Sequence, residues 1–143
     1  MNTLKALALA ALLAAGPAAA QQADRLVNVV TAENPQTQLM SMVLTLQALQ
    51  QGANVRVMLC GPAADIALKE APESATAGQP PKDMSPQGAL MAAIKAGAKA
   101  EVCAIYLPGK GATPEALIEG VTVAEPPAMA KALMHRSTRV WSF

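Results

Sequence analysis

A capping residue followed by proline occurs at Asn34-Pro35, Ser85-Pro86 and Thr113-Pro114, and a glycine closes the stretch after each, at Gly52, Gly97 and Gly120. Asn, Ser and Thr side chains accept hydrogen bonds from the first free N–H groups of a helix. Proline suits the first helical position because its missing N–H would be unpaired there anyway. Glycine takes the positive φ that ends a helix. Short runs that read as strands lie between these marks, at 25–31, 55–60, 101–107, 121–124 and 138–143. Strands alternating with helices through short connections imply parallel β-α-β units with right-handed crossovers. The expected fold is therefore α/β: a three-layer α/β/α sandwich with a five-stranded parallel sheet.

The first helix is expected to bury Leu39, Met42, Val43, Leu46 and Leu49, with Gln36, Gln38, Thr45, Gln47 and Gln50 mostly on its other side. Further helices are expected at about 63–69, from Pro86 to Gly97, at 114–119 and from Pro126-Pro127 to about His135. The Pro/Gly/Ser-rich stretch 71–82 reads as a surface loop.

Residues 1–20 read as a secretory signal peptide: Lys5, an Ala/Leu run over 6–15, and Ala18-Ala19-Ala20 as the cleavage site. An uncleaved anchor is the alternative, but its apolar run is short and broken by Gly16-Pro17. Residues 21–143 then form a single domain, with the periplasm of a Gram-negative cell as destination. Lys5 is the one charged side chain in the leader, so the mature chain carries ten basic and ten acidic groups. A balanced charge argues against nucleic acid, which demands a basic face. One Tyr, one Trp and one Phe make no stacking platform for bases. No mature stretch reaches the ~20 apolar residues of a membrane span.

Ligands of open parallel sheets bind outside the carboxyl ends of the strands, which draws attention to the two cysteines. Cys103 precedes a turn with Lys110 that leads to the helix expected at Thr113-Pro114. The helix start and Lys110 would stabilise a thiolate and make Cys103 a nucleophile. Equally, free cysteine packs as an inert small hydrophobe. Cys60 precedes a similar turn, Gly61-Pro62, with core packing as its plainer role. An exported chain with two cysteines also raises a disulfide. However, Cys60 ends its expected strand while Cys103 starts its own, which argues against level pairing. Cys103 and Tyr106 point to opposite faces of a regular strand, and share a pocket only if the strand ends or bulges between them.

The remaining candidates are weaker. Pro-Gly-Lys-Gly-Ala-Thr (108–113) departs from a phosphate loop, with Ala104 and Gly111 at its key positions. His135, the one histidine, is expected at the far end of the sheet from the thiols. With two separated cysteines it makes no zinc site. Met40, Met42 and Met58 fit core packing better than a soft-metal site. No cofactor is implied.

The segments Gly-Ala-Asn-Val-Arg-Val-Met-Leu (52–59), Ser-Pro-Gln-Gly-Ala-Leu (85–90), Gly-Ala-Lys-Ala-Glu-Val-Cys (97–103) and Glu-Ala-Leu-Ile-Glu-Gly-Val (115–121) resemble the DsrE/DsrF-like family. The resemblance covers nearly the whole mature chain. It implies the five-stranded parallel fold, a homo-oligomer (trimer or hexamer) and, in sulfur-relay members, a persulfide on the cysteine aligned with Cys103. Exported relatives often carry a second cysteine three residues on, where this chain has Tyr106. The implied function is a single-thiol sulfur carrier or thiol-redox protein at Cys103, with a sulfur donor or acceptor protein or a small thiol as partner. Lys110, Thr113, Cys60 and Tyr106 are the expected pocket residues. The alternative is a non-catalytic binding or assembly module in which Cys103 is structural.

Overall fold

The computed structural model describes residues 24–143; the expected signal peptide lies outside the described residues. The strands are β1 (Arg25–Val30), β2 (Asn54–Leu59), β3 (Lys99–Val102), β4 (Val121–Val123) and β5 (Thr138–Ser142). The helices are α1 (Pro35–Gln50), α2 (Glu73–Thr76), α3 (Pro86–Lys95), α4 (Tyr106–Lys110) and α5 (Pro126–Leu133). The sheet is wholly parallel, in the order β4-β3-β2-β1-β5. The chain builds outward from β1 to β4, then crosses back to add β5 on the other side of β1.

Alternation along the strands sorts the two faces. Leu26 and Val30 of β1, Val55, Val57 and Leu59 of β2, and Ala100 and Val102 of β3 enter the main core with Met42 and Leu90. The intervening Val27, Val29 and Met58 pack with Met129 and Leu133 of α5 on the opposite face. The result is the three-layer α/β/α sandwich expected for a DsrE-like chain. Met42 is fully buried, Met58 lies across the sheet from it, and Met40 is exposed. The three methionines therefore do not converge.

The proline starts behave as the capping argument requires at two of three sites. Asn34 Oδ1 accepts from the N–H groups of Gln36 and Thr37 at 3.0 and 3.1 Å, and Ser85 Oγ from Gly88 at 3.0 Å. Thr113-Pro114 opens only a single 3-10 turn, Pro114–Ala116, instead of a helix to 119. The segment expected as a helix at 63–69 is a 3-10 run, Gly61–Ala67, whose Ala63, Ala64, Ile66 and Ala67 enter the core. Within the expected loop at 71–82 lies the short α2.

Helix α1 departs from its expected orientation. It buries Gln38, Ser41, Met42, Thr45 and Ala48 against the sheet, while Leu39, Val43, Leu46 and Leu49 are only half-buried. The cause is Asn28 in the middle of β1, wholly buried, whose Nδ2 donates to Thr45 Oγ1 at 2.9 Å. A buried amide needs hydrogen-bonding partners, and the Ser/Thr side of α1 supplies them. Leu39, Val43 and Leu46 of the apolar stripe are left lining a groove of about 520 Å³ with Met40 and Met84.

Candidate functional site

β3 ends at Val102, five residues before the expected boundary. The run Cys-Ala-Ile-Tyr-Leu has strand-like composition, but the chain turns at once: the Tyr106 N–H donates to Cys103 O at 2.9 Å and α4 begins. In the β2–β3 register Leu59 is level with Val102, so Cys60 and Cys103 are the next residues out from level partners. The Cys103 N–H extends the ladder by donating to Leu59 O at 2.9 Å.

Cys60 and Cys103 are joined in a disulfide, with Cα atoms 5.1 Å apart, inside the usual span of about 4.4–6.8 Å. This corrects two expectations. The cysteines pair level, because β3 is shifted toward the N-terminus and Cys103 closes it rather than opening it. Cys103 is therefore not a lone thiol; its partner comes from the adjacent strand instead of from three residues on.

Both cysteines are half-buried and line an open cleft of roughly 620 Å³ at the carboxyl edge of the sheet, with Glu33, Asp65, Tyr106 and Lys110 among its walls. The strand ends before Tyr106, which is how Tyr106 comes to share a pocket with Cys103. The Tyr106 hydroxyl donates to Asp65 Oδ1 at 2.6 Å, and Lys110 Nζ meets the same oxygen at 2.6 Å. Lys110 also lies 5.6 Å from the centroid of the Tyr106 ring. Burial, followed by the hydrogen bond to Asp65 and its negative charge, pushes the Tyr106 phenol well above its ordinary pKa. Tyr106 thus remains a neutral donor at any physiological pH.

The structure brings together four of the five expected residues: Cys103, Cys60, Tyr106 and Lys110. Thr113 is not among the residues lining the cleft. It stands beside Glu115, whose carboxyl it holds below the ordinary range by a hydrogen bond. The turn it opens is too short to add up a helix dipole. Lys110 is present at the cleft, but tied to Asp65. Asp65 is the residue that sequence reasoning missed. It stands five residues after Cys60, and no local pattern separates it from a solvated helix-face acid. His135 lies past α5, in a separate groove formed by strand starts. Among the described residues no cluster of three or more His, Cys, Asp or Glu side chains is placed to hold a metal ion.

The chain has a three-layer α/β fold of the DsrE-like kind, with a cross-strand cysteine pair at the carboxyl edge of its sheet. The YchN protein from E. coli is similar in structure, with a TM-score of 0.67 and 18% sequence identity, over 83% of this chain and 98% of that one. The protein of unknown function MTH1491 from Methanobacterium thermoautotrophicum is similar with a TM-score of 0.59 and 16% identity, again over 83% and 98%. At these identities the likeness establishes the fold. No family model and no curated protein matches the chain.

Proposed function

We propose that this protein handles sulfur through the Cys60–Cys103 pair, as a thiol-redox protein that takes up sulfane sulfur on Cys103. The observation that carries the reading is the position of the disulfide: half-buried, on the wall of an open cleft, at the strand edge where parallel sheets bind ligands. The family resemblance selects Cys103 as the carrier.

A disulfide accepts sulfur without a further oxidant. Hydrosulfide attacks Cys103 Sγ, the Cys60–Cys103 bond breaks, and Cys60 leaves as a thiolate while Cys103 becomes a persulfide. The sulfide sulfur is oxidised and the Cys60 sulfur reduced, so electrons balance within the step. A small thiolate opening the same bond gives a mixed disulfide by the same route. Passing the outer sulfur to an acceptor thiol leaves a dithiol, which a disulfide donor reoxidises. Export after cleavage near Ala20 belongs to this reading, since disulfides persist in oxidising compartments. So does a homo-oligomer, which the half-exposed apolar stripe of α1 supports.

The test is intact mass with peptide mapping, on the oxidised protein treated with sulfide under native conditions. The expected result is a reductant-labile gain of one sulfur atom on Cys103, lost in Cys103→Ser. In Cys60→Ser, sulfide alone adds nothing, because no disulfide is present, while a sulfane donor still loads Cys103. A disulfide that resists both sulfide and small thiols in the folded protein would overturn the proposal and leave a binding or assembly module with structural cysteines.

A further inference from the structure

At the opposite edge of the sheet from the cysteines, a groove of about 340 Å³ is lined by the first residue of four strands, Arg25, Asn54, Lys99 and Thr138, together with Arg56 and, from α5 and beyond, Lys131 and His135. Among the described residues no carboxylate lines it. One acid stands behind it: Glu101, nearly wholly buried, whose Oε2 meets Arg56 Nε at 2.8 Å and whose Oε1 meets Lys99 Nζ at 2.9 Å. Arg56 is tied a second time, by Nη1 to Ala128 O of α5 at 3.4 Å.

Two features go beyond what the fold requires. Arg56 and Lys99 are level partners in the β2–β3 register, an arrangement of like charges that destabilises a sheet. A single buried carboxylate offsets that repulsion and fixes both side chains in place. Arg25 and Lys131 add two more cations, so that a net three positive charges remain with His135 counted neutral. The carbonyl end of α5 accounts for Lys131, since a cation is favoured there. It does not account for Arg25, Arg56 and Lys99, which come from three different strands.

We propose that this groove is a binding site for a small polyvalent oxoanion of the polyphosphate type. Guanidinium and ammonium groups held in advance by Glu101 present charge-assisted N–H donors. Their excess charge matches a ligand with three or more negative charges, and the volume falls at the small end of ligand pockets. The six residues of β1 at ~3.3 Å each set the groove roughly 20 Å from the thiols. The anion is therefore not the sulfur substrate, and the site stands independently of the cysteine chemistry.

The experiment is calorimetric titration of the folded, oxidised protein with tripolyphosphate at fixed ionic strength. Saturable binding at one site is expected. It weakens roughly ten-fold or more in Arg25→Gln/Lys131→Gln and is unchanged in Lys82→Gln/Lys95→Gln, which removes the same charge elsewhere. Arg25 and Lys131 are both exposed and neither is paired with Glu101, so the double variant keeps the fold; Lys131→Gln alone provides a second, milder reading in the same direction. Absence of saturable binding, or equal weakening in the two double variants, would overturn the proposal, the latter by showing attraction to overall charge.

Discussion

The Tyr106 hydroxyl reaches across from α4 to donate to Asp65, on the carboxylate oxygen that Lys110 also meets. This contact ties α4 to the 3-10 run after Cys60, so the segments following the two cysteines are held together twice, by the disulfide and by Asp65. Tyr106 is the sole tyrosine, which makes its ionisation directly visible. Phenolate absorbance is expected to be absent from the folded protein at pH values where a free phenol, with a pKa of about 10, has ionised. In Asp65→Asn the transition moves down, because the acceptor charge is gone, but not fully to the free value, because burial, the largest cause, remains.

The same phenol makes stability depend on pH in the alkaline range. A proton held more tightly in the folded than in the unfolded state contributes stability that is present below the unfolded pKa and is lost as pH rises through the folded one. Denaturant midpoints should therefore not vary with pH through Tyr106 near neutrality, and should fall above about pH 10. A Tyr106→Phe variant should lose that alkaline slope.

Reducing the disulfide should destabilise the protein. The bond closes a loop across a sequence separation of 43, and chain-entropy estimates for such loops give about 4 kcal/mol, with measured values usually between about 2 and 4. Urea unfolding of the wild type with and without reductant, beside Cys60→Ser/Cys103→Ser, checks this. The variant should match the reduced wild type and no longer respond to reductant.

Glu101→Gln removes the carboxylate shared by Arg56 and Lys99, and leaves two level cations facing each other. Because Glu101 is buried and Arg56 largely so, the loss should be about 2–4 kcal/mol. A surface ion pair would cost less than about 1. Equilibrium unfolding distinguishes the two.

Gly120→Ala tests the turn into β4. Gly120 has φ +83°, and an added Cβ would lie 2.6 Å from Ile94 Cγ2. The left-handed backbone alone costs about 1–2 kcal/mol in a residue with a side chain, and Ile94 must also move. The variant should lose at least about 2 kcal/mol in chemical denaturation. Gly52→Ala, with φ +85° but open space around it, should lose only the backbone part.

Much of the fold was legible because its signals are local. Asn34 and Ser85 cap helices through their own side chains, and Gly52 and Gly97 take positive φ where the chain leaves α1 and α3. β1, β2, β4 and β5 lie within a residue of their expected bounds, since β-branched runs between such marks have few other uses. Beyond the 3-10 run at Gly61–Ala67 and the short α2, three readings failed where local composition was ambiguous. The residues after Val102 look like strand yet turn. Thr113-Pro114 has the form of a cap but no helix behind it. The apolar stripe of α1 lost the sheet to a polar side, because Asn28 sits at the centre of β1 and requires partners.

What the sequence by itself determined is the alternation of strand and helix, and hence a parallel layered fold, together with the candidate residues Cys103, Cys60, Tyr106 and Lys110. Local capping, backbone preference and hydrophobic runs are sufficient for that. Only the tertiary structure decided that β2 and β3 pair with Leu59 level with Val102, that the cysteines therefore bond, that Asp65 joins them, and that Arg25, Arg56, Lys99 and Lys131 share one groove. Register and strand order arise from packing between residues distant in the chain. A shift of one residue reverses every side chain in a strand while leaving its composition unchanged.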